Sequence, residues 1–512
     1  MLDENTAPEV RTANGRVRGR VRDHVATFRG IPYAQPPTGR LRFAAPAPAS
    51  PWDGVREAAE FGSPAPQAQI MSPGPAGNPE TTGDDWLTVN VWTPQPDSAA
   101  RLPVMVWIHG GGWMFGHGGD PAYDGTLLAR EGGVVLVTCN YRLGMEGWAL
   151  LEGAPANRGL LDQIAALEWV RENISGFGGD PHKVTVFGQS AGAGSVAALL
   201  AAPRARGLFR RAIAESVTGS LLSPELAADI SGAVAAELGL RPIVTDLAAV
   251  DPEFLARTGD LVAASLPERA ERWGAFAYSP SPYSPVVDGA VLPRSPWEAL
   301  AAGAGRDIEL LTGHTRDEFR TFAAARLGSI GDGEADAALS ALAPEPGGAP
   351  AFRAAYPGAT AEELYLTVTS DWLFRMPSLH LAECQSAGGG AAYVYELTWR
   401  SPGMGGALGA PHILDTPLVF GTFTADPAPF LFGDPPSPRA RALSELVRAR
   451  WAAFARGGDP GWPEYVPPRR VTQILDNDPV VVAYPEDASR RLWERHRFDQ
   501  LPLASIWQQV SD

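Results

Sequence analysis

The sequence has very few cysteines and no long apolar run. Cys139 and Cys384 are the only two cysteines in 512 residues, and one possible disulfide does not indicate a secreted fold built on disulfides. No apolar run approaches the length of a membrane-spanning helix. The first residues lack the basic and apolar regions of a signal peptide. We therefore expect a cytoplasmic protein that does not enter a membrane.

Basic charge is also scarce. The formal net charge is −16 and the isoelectric point is about 5.0, so the surface has little with which to neutralise phosphates, and nucleic acid is excluded as a partner. All but one of the 42 basic residues are arginine, a bias typical of a GC-rich bacterial genome. The sequence shows no dinucleotide fingerprint, no G-K-[ST] and no metal-ligand cluster. We therefore expect neither a metal nor a cofactor.

One stretch, residues 184–194, combines a strand pattern, a tight turn and a helix pattern. Val184 to Phe187 are apolar or β-branched, and Gly188-Gln-Ser-Ala-Gly192 matches G-x-S-x-G. A strand followed directly by a helix is the context in which this pattern forms a nucleophile elbow, with the serine at its apex. Gly188 and Gly192 are expected where a Cβ would clash between strand and helix. Ser190 is therefore the candidate nucleophile.

The rest of the chain alternates strand and helix patterns, which predicts an α/β fold with a central, mostly parallel sheet and helices on both faces. Residues 10–30 alternate as in a small antiparallel sheet, and residues 223–270 predict helical insertions after the elbow. Residues 62–83 and 331–351 are rich in Gly and Pro or Ala and are predicted to be loops. With no clear linker in sight, residues 10–507 are predicted to form one domain. The predicted strands are 87–92, 104–108, 134–138, 184–187, 212–214, 308–312 and 393–397; the predicted helices are 126–130, 161–174, 196–200 and 443–454.

A serine hydroxyl needs a base, and on this kind of sheet the base follows the serine and the acid in chain order. Four of the eight histidines follow Ser190. His412 lies in a Gly/Pro-rich loop after the predicted strand 393–397, which is where a catalytic base belongs. His380 lies in a helical pattern and His496 in a charged tail, so both are interpreted as structural or solvated. His412 is therefore the candidate base.

The acid is not decided by the residues alone. Asp317 and Glu318 both follow the predicted strand 308–312, and either could orient the histidine. Either could instead be an acidic residue at a helix N-terminus with no catalytic role.

A third feature, His109-Gly-Gly-Gly-Trp113, comes directly after a buried strand pattern. Its glycines let the backbone approach a substrate, and successive N–H groups can point at one oxygen. The alternative of a phosphate-binding loop has no support, because no phosphate-binding motif accompanies it. The segment is therefore the candidate oxyanion loop.

Taken together, the sequence resembles the type-B carboxylesterases of the α/β-hydrolase fold, the group of bacterial p-nitrobenzyl esterases and cholinesterases. The resemblance runs from about Val10 to about Ile506. It rests on these segments: Phe28-Arg-Gly-Ile-Pro-Tyr-Ala34, Leu41-Arg-Phe43, His109-Gly-Gly-Gly-Trp113, Asn140-Tyr-Arg-Leu-Gly144, Asn157-Arg-Gly-Leu-Leu-Asp-Gln163, Phe177-Gly-Gly-Asp-Pro181, Gly188-Gln-Ser-Ala-Gly192, Pro285-Val-Val-Asp-Gly289, Phe454-Ala-Arg-Gly-Gly-Asp-Pro460 and Trp462-Pro-Glu-Tyr465.

The resemblance implies a serine hydrolase of carboxylic esters that works through an acyl-enzyme. It implies Ser190 as nucleophile, His412 as base and Glu318 as acid, and it implies an oxyanion hole made by the N–H groups of Gly111, Gly112 and Ala191. An apolar substrate pocket is expected from aromatic residues near the loop and the acid, with an acyl side bordered by Ser279, Ser281 and Tyr283. The pocket residues expected are Trp113, Phe115, Phe319, Phe322 and Tyr283.

The sequence departs from the family pattern at several positions. Gln189 stands where the family often has Glu, and Phe319 stands where it often has Gly after the acid. Trp86 replaces the cysteine of cholinesterase relatives, so their disulfide-closed loop is not expected. Ser216 matches a buried serine behind the triad, although Val217 replaces the usual Gly.

We expect a small-molecule ester as partner and a monomer or small homo-oligomer. Two other interpretations stay open at this point. One is a carbamate or amide hydrolase or a lipase, since the same triad attacks those carbonyls. The other is a binding protein that has lost catalysis, which disagrees with the presence of every triad residue.

Overall fold

A computed structural model describes residues 2–4, 7–68 and 83–504 of the chain. Its strands form one 11-stranded sheet and one 3-stranded sheet. The strands are Glu9–Arg11 (β1), Arg16–Arg18 (β2), Arg20–Arg22 (β3), Val25–Pro32 (β4), Val55–Glu57 (β5), Thr88–Thr93 (β6), Leu102–Ile108 (β7), Val135–Cys139 (β8), Gly179–Gln189 (β9), Arg211–Glu215 (β10), Glu309–Thr315 (β11), Ala392–Leu397 (β12), Val471–Leu475 (β13) and Val480–Ala483 (β14).

The helices fill the connections between these strands. They are Thr126–Gly132 (α1), Gly144–Gly147 (α2), Arg158–Asn173 (α3), Ala191–Ala201 (α4), Pro224–Glu237 (α5), Val244–Leu247 (α6), Pro252–Ala264 (α7), Ala270–Trp273 (α8), Pro296–Ala301 (α9), Asp332–Leu342 (α10), Gly348–Ala355 (α11), Ala361–Ser370 (α12), Met376–Ala387 (α13), Asp415–Phe420 (α14), Ala428–Phe432 (α15), Pro438–Gly457 (α16) and Asp487–Trp493 (α17).

The large sheet is parallel in its centre and antiparallel at both edges. Its order is β14-β13-β12-β11-β10-β9-β7-β8-β6-β4-β3, and the strands from β13 to β8 in this order pair in parallel. Successive residues of β7 enter two different cores: Val106 packs in the core that contains α3 and α4, and Trp107 packs in the core that contains α1 and α16. Helices therefore cover both faces, and the predicted mostly parallel sheet is confirmed.

The small N-terminal sheet differs in detail from the prediction. β1 pairs antiparallel with β2, but β5 pairs parallel with β2. β3 and β4 form a hairpin that joins the large sheet through β6. The alternating pattern in residues 10–30 therefore contributes strands to both sheets.

Two predicted loops need correction. Residues 331–351 contain α10 and the start of α11, because the spacing of Ala335, Leu339 and Leu342 puts one buried stripe along α10. Of the predicted surface loop 62–83, residues 64–68 are buried, and residues 69–82 lie outside the described part of the chain. Composition alone misled both predictions, because small residues suit a packed helix or a buried turn as well as an exposed loop.

Four strands in the parallel centre of the sheet lead into the candidate residues. β7 leads into the glycine loop, β9 into Ser190, β11 into Glu318 and β12 into the loop of His412. The carboxyl ends of parallel strands meet at one edge of the sheet, and the topology therefore brings four distant segments together. The predicted helical insertions are present as α5 to α9 between β10 and β11, with α10 to α13 following β11.

Candidate active site

Ser190 occupies a strained position between β9 and α4. Its backbone angles are φ 58° and ψ −125°, a combination that costs energy for a residue with a side chain. Its N–H donates to the carbonyl oxygen of Glu215 on the adjacent strand β10 at 2.9 Å. The residue is half-buried. The strand–turn–helix predicted for this segment is therefore present, with the serine at its apex.

Close packing around the turn explains its glycines. A Cβ added at Gly192 would lie 2.1 Å from the carbonyl oxygen of Ile108, and one at Gly188 would lie 2.7 Å from the same oxygen. Since Ile108 ends β7, α4 and β9 both touch that strand without intervening side chains. The predicted clash at both glycines is confirmed.

His412 is hydrogen-bonded to Glu318. Its Nδ1 lies 2.5 Å from Glu318 Oε2, and both side chains are buried. The other carboxylate oxygen, Oε1, accepts from the N–H of Thr315 at 2.8 Å and from Ser216 Oγ at 2.6 Å. Ser216 thus supports the carboxylate from behind, as the resemblance implied. Nδ1 carries the proton in this arrangement, since an ionised carboxylate can only accept.

The charge of Glu318 is maintained by its neighbours. Burial by itself raises the pKa of this carboxyl, but the nearby His412 and the hydrogen bonds from His412 and Ser216 outweigh burial, so the pKa lies below its ordinary value. An ionised Glu318 holds the imidazole with its Nδ1–H inward and leaves Nε2 as the basic nitrogen.

Asp317, unlike Glu318, bonds to the backbone of the loop that carries His412. Its Oδ2 accepts from the N–H of Ala410 at 2.9 Å, and its own N–H donates to the Ala410 carbonyl at 2.8 Å. It also pairs with Arg320 at 3.4 Å. Asp317 therefore fastens the loop that carries His412, and only Glu318 of the two acids contacts the imidazole.

The basic nitrogen of His412 faces Gln189. The distance from His412 Nε2 to Gln189 Nε2 is 3.1 Å. Within the described chain, Ser190 Oγ has no hydrogen-bond partner. The ring of Phe374 stacks on His412 with centroids 4.2 Å apart, and Phe322 lies 5.2 Å away. Sequence reasoning did not identify Gln189 as a neighbour of the imidazole.

The glycine loop after β7 presents free N–H groups beside Ser190. Gly111 has φ +104° and Gly112 has φ +61°, and a Cβ at Gly110 would lie 3.3 Å from Ser190 Cβ. No acceptor among the described residues takes the N–H groups of Gly111, Gly112 or Ala191. Three unused donors therefore lie near the elbow, two on the loop and one at the start of α4.

Buried side chains support this loop from below. His109 Nδ1 bonds to the Gly110 carbonyl at 2.8 Å, and its ring stacks on Tyr141 at 4.3 Å. Tyr141 Oη donates to the carbonyl of His109 at 2.7 Å. Burial lowers the pKa of His109 to about 3, so this histidine is neutral. Gln67, which sequence reasoning missed, is buried and bonds to both backbone groups of Gly116.

The five predicted pocket residues differ in their exposure to solvent. Phe322 is 39% exposed and Phe115 is half-buried, whereas Phe319 is buried against Phe322. Trp113 and Tyr283 are each 2% exposed, and neither presents an open wall in this structure. Trp113 instead donates its indole N–H to Ser195 on α4 at 3.0 Å.

The segment predicted to border the acyl side contacts the candidate oxyanion loop. Ser281 Oγ donates to the carbonyl of Gly112 at 2.5 Å. It also accepts from the N–H of Tyr283 at 3.1 Å. Ser281 therefore connects the segment of Tyr283 to Gly112, which is far from it in sequence.

In residues 2–4, 7–68 and 83–504, no group of His, Cys, Asp or Glu is arranged to hold a metal ion. None of the helices described is long and apolar enough to span a bilayer.

Comparison with known proteins identifies the family of this chain. Residues 6–478 match the Carboxylesterase family. The para-nitrobenzyl esterase of Bacillus subtilis is 38% identical over 495 residues, which is 94% of this chain and 97% of that protein. The phenmedipham hydrolase of Pseudarthrobacter oxydans is 37% identical over 466 residues, or 89% of this chain and 91% of that protein.

Solved structures show the same fold. A thermophilic PNB esterase superposes with a TM-score of 0.84 at 36% identity, covering 95% of this chain and 100% of that chain. A carboxylesterase of Geobacillus stearothermophilus gives 0.81 at 36% identity, covering 95% and 99%. Because the family match and the relatives both extend over most of the chain, this protein belongs to the carboxylesterase family, has the α/β-hydrolase fold and is a serine hydrolase of carboxylic esters.

Proposed function

We propose that Ser190, His412 and Glu318 form the catalytic triad of this esterase. Ser190 Oγ attacks the ester carbonyl while His412 Nε2 takes its proton. Glu318 stabilises the imidazolium and keeps the ring in its tautomer. The observation that carries this proposal is the 2.5 Å contact between the buried Glu318 and His412 Nδ1, which leaves Nε2 as the basic nitrogen beside the elbow.

The oxyanion of the tetrahedral intermediate is assigned to the N–H groups of Gly111, Gly112 and Ala191. Each preorganised donor of this kind stabilises a transition state by about 3 kcal/mol. The dipole of α4, whose N-terminus follows Ser190, adds to the same field. These donors meet no acceptor within the described chain, as a ready oxyanion hole requires.

The intermediate then collapses and the cycle repeats with water. His412 gives its proton to the leaving alcohol, and an acyl group stays on Ser190. Water loses a proton to His412, attacks the acyl carbonyl, and Ser190 leaves with the proton that His412 returns. The scheme needs neither a metal nor a cofactor.

The substrate pocket is assigned to the aromatic residues beside the triad and to the serines of the acyl side. Phe322 and Phe115 are the more exposed members of the predicted set. Ser279 and Ser281 are small and leave an acyl group more room than aromatic residues would. We therefore expect the kcat/KM values for butyryl and benzoyl esters to lie within about tenfold of the value for acetyl esters.

A second substrate class has one specific observation in its favour. The relative named phenmedipham hydrolase matches 89% of this chain. Phenmedipham and N-aryl carbamates are therefore tested beside matched esters, and higher kcat/KM on them would reassign the substrate class. Activation at a lipid interface would indicate a lipase.

The setting of the enzyme is also a proposal. Residues 10–507 form one domain, and the protein is a cytoplasmic monomer or small homo-oligomer. It acts on small esters and binds neither nucleic acid nor a membrane. Cys139 and Cys384 are both free thiols, which suits a reducing compartment. Cell fractionation and light scattering measure compartment and mass.

The experiment combines turnover with labelling. Hydrolysis of p-nitrophenyl acetate, butyrate and octanoate is followed with and without an organophosphate, and intact mass is then recorded. We expect turnover to stop as one adduct forms on Ser190, and Ser190→Ala to lose about 10⁴-fold in kcat with its fold intact. A Ser190→Ala variant with a tenth of the activity would contradict the triad. Folded wild-type protein with neither turnover nor label would favour the binding interpretation.

A further inference from the structure

The side chain of Gln189, next to Ser190 in the elbow, is hydrogen-bonded to the imidazole of His412. It is 2% exposed, and its Nε2 lies 3.1 Å from His412 Nε2. The family often has glutamate at this position, so an amide in contact with the base distinguishes this chain. The triad as proposed gives this amide no task.

The protonation of the imidazole determines which end of the amide can face it. Glu318 accepts from Nδ1, so Nε2 carries a lone pair in the resting enzyme. An amide N–H can donate to that lone pair, whereas an amide oxygen would repel it. The 3.1 Å contact through the amide nitrogen is therefore the arrangement expected for a neutral base.

The amide is held between the base and the oxyanion loop. A Cβ at Gly110 would lie 3.2 Å from Gln189 Oε1 and 2.9 Å from the carbonyl oxygen of Gln189. The glycine thus leaves just enough room for the side chain. Because Gln189 ends β9, its backbone is fixed by the sheet.

We propose, on the basis of the triad above, that Gln189 is a positioning residue that holds His412 by its N–H in the neutral form and so favours the unprotonated base. Ser190 takes its place at Nε2 when substrate enters. Once Nε2 is protonated, the N–H of Gln189 faces another N–H, so the protonated base loses this hydrogen bond. A carboxylate at this position would instead favour the protonated base.

Other ionisable groups near the base bear on the pH test. Glu318 contacts Nδ1, and Asp415 on α14 interacts with both Glu318 and His412. Glu215 on β10 interacts with Asp415, and His314 on β11 interacts with Glu318. Burial together with Glu318 raises the pKa of Asp415 to about 6. Asp415 can therefore contribute to the acid limb of the rate profile, and the test compares variants in the presence and absence of Asp415.

The test measures kcat/KM against pH for p-nitrophenyl butyrate with wild type, Gln189→Glu and Gln189→Met. Methionine has similar length and no donor, and glutamate has an acceptor with a charge. An opposite charge this close shifts a titration by about one to three pH units. We expect the acid limb of the kcat/KM profile to move to a pH at least one unit higher in Gln189→Glu, and to move upward by less in Gln189→Met. The same shift should persist when Asp415→Asn is combined with Gln189→Glu.

The proposal would be overturned if the acid limbs of all three proteins agreed within about 0.3 pH unit. It would also be overturned if the shift caused by Gln189→Glu disappeared when Asp415→Asn was added. Labelling by an organophosphate at pH 9 and thermal melting show that each variant is folded with a working Ser190. If Gln189→Glu does not fold, Gln189→Met must still move the acid limb of the kcat/KM profile to higher pH. Loss of label in the wild type would refute the triad rather than Gln189, so the two failures are separable.

Discussion

Asp317 and Glu318 are neighbours in sequence, but their carboxylates serve different parts of the site. Glu318 is wholly buried and bonds to His412, whereas Asp317 bonds to the backbone of Ala410. The difference arises because the chain enters a short 3₁₀ turn at Glu318, which directs the two side chains differently.

We therefore expect Glu318→Gln to lower kcat/KM by about 10³-fold or more, because an amide no longer stabilises the imidazolium. Asp317→Asn should cost less than tenfold or so, with a lower Tm from the weakened loop. Steady-state kinetics and melting of both variants check this. If Asp317→Asn proved the more damaging to kcat, the acid would be Asp317.

Asp260 on α7 is a buried acid outside the triad. It is 5% exposed, its Oδ2 has no partner among the described residues, and burial raises its pKa to about 6. An unfolded Asp titrates near 3.9. The folded state therefore holds the proton more tightly, and stability falls as pH rises from about 4 to about 6.

Asp260→Asn should remove that penalty and raise the free energy of unfolding by about 3 kcal/mol at pH 8, with a smaller gain at pH 4.5. Denaturant unfolding at both pH values measures the difference. A gain of equal size at the two pH values would show that ionisation is not its cause.

At the scale of elements, one π-helical turn positions an aromatic ring on the base. The turn, Asp371–Arg375, lies between α12 and α13. Arg375 pairs with Asp371 at 3.2 Å and with Glu486 at 2.8 Å, which anchors the turn to the segment before α17. The extra residue of the turn places Phe374 flat against His412. Such turns often occur at functional sites.

Phe374→Ala should lower kcat by about tenfold with little change in KM, because the imidazole loses the surface that fixes its plane. It should also destabilise the protein by about 3–5 kcal/mol, as loss of a buried aromatic ring does. Phe374→Leu is the matched control, since it keeps apolar volume without a flat ring. A kcat unchanged in the alanine variant would show that the stack has no role in catalysis.

For the whole molecule, the dominant physical property is its negative charge. A net charge of −16 and an isoelectric point near 5.0 mean that self-repulsion keeps molecules apart at neutral pH. We expect minimum solubility near pH 5, measured as turbidity between pH 4 and 8 at low salt. A minimum above pH 6 would show that exposed apolar side chains, and not charge, control association.

Local sequence patterns were sufficient to predict the order of the central strands and the candidate residues of the site. The strand–Gly-x-Ser-x-Gly–helix pattern indicated Ser190 as the candidate nucleophile, and the triple glycine indicated the candidate oxyanion loop. The strands from β7 to β12 were recognised because strands buried on both faces are continuously apolar. Prediction was poorest where composition hid periodicity, as in α10, whose stripe of small residues is packed.

Which side chains meet depends on the folded chain. His412 and Glu318 are 94 residues apart, and Gln189 and His412 are 223 apart, so no local pattern relates them. The acid, the contact from Gln189 and the ring of Phe374 follow from parallel strands that end at one edge and from the turns that leave them. Local sequence sets backbone preference and burial, whereas distances between remote side chains depend on how the whole core packs.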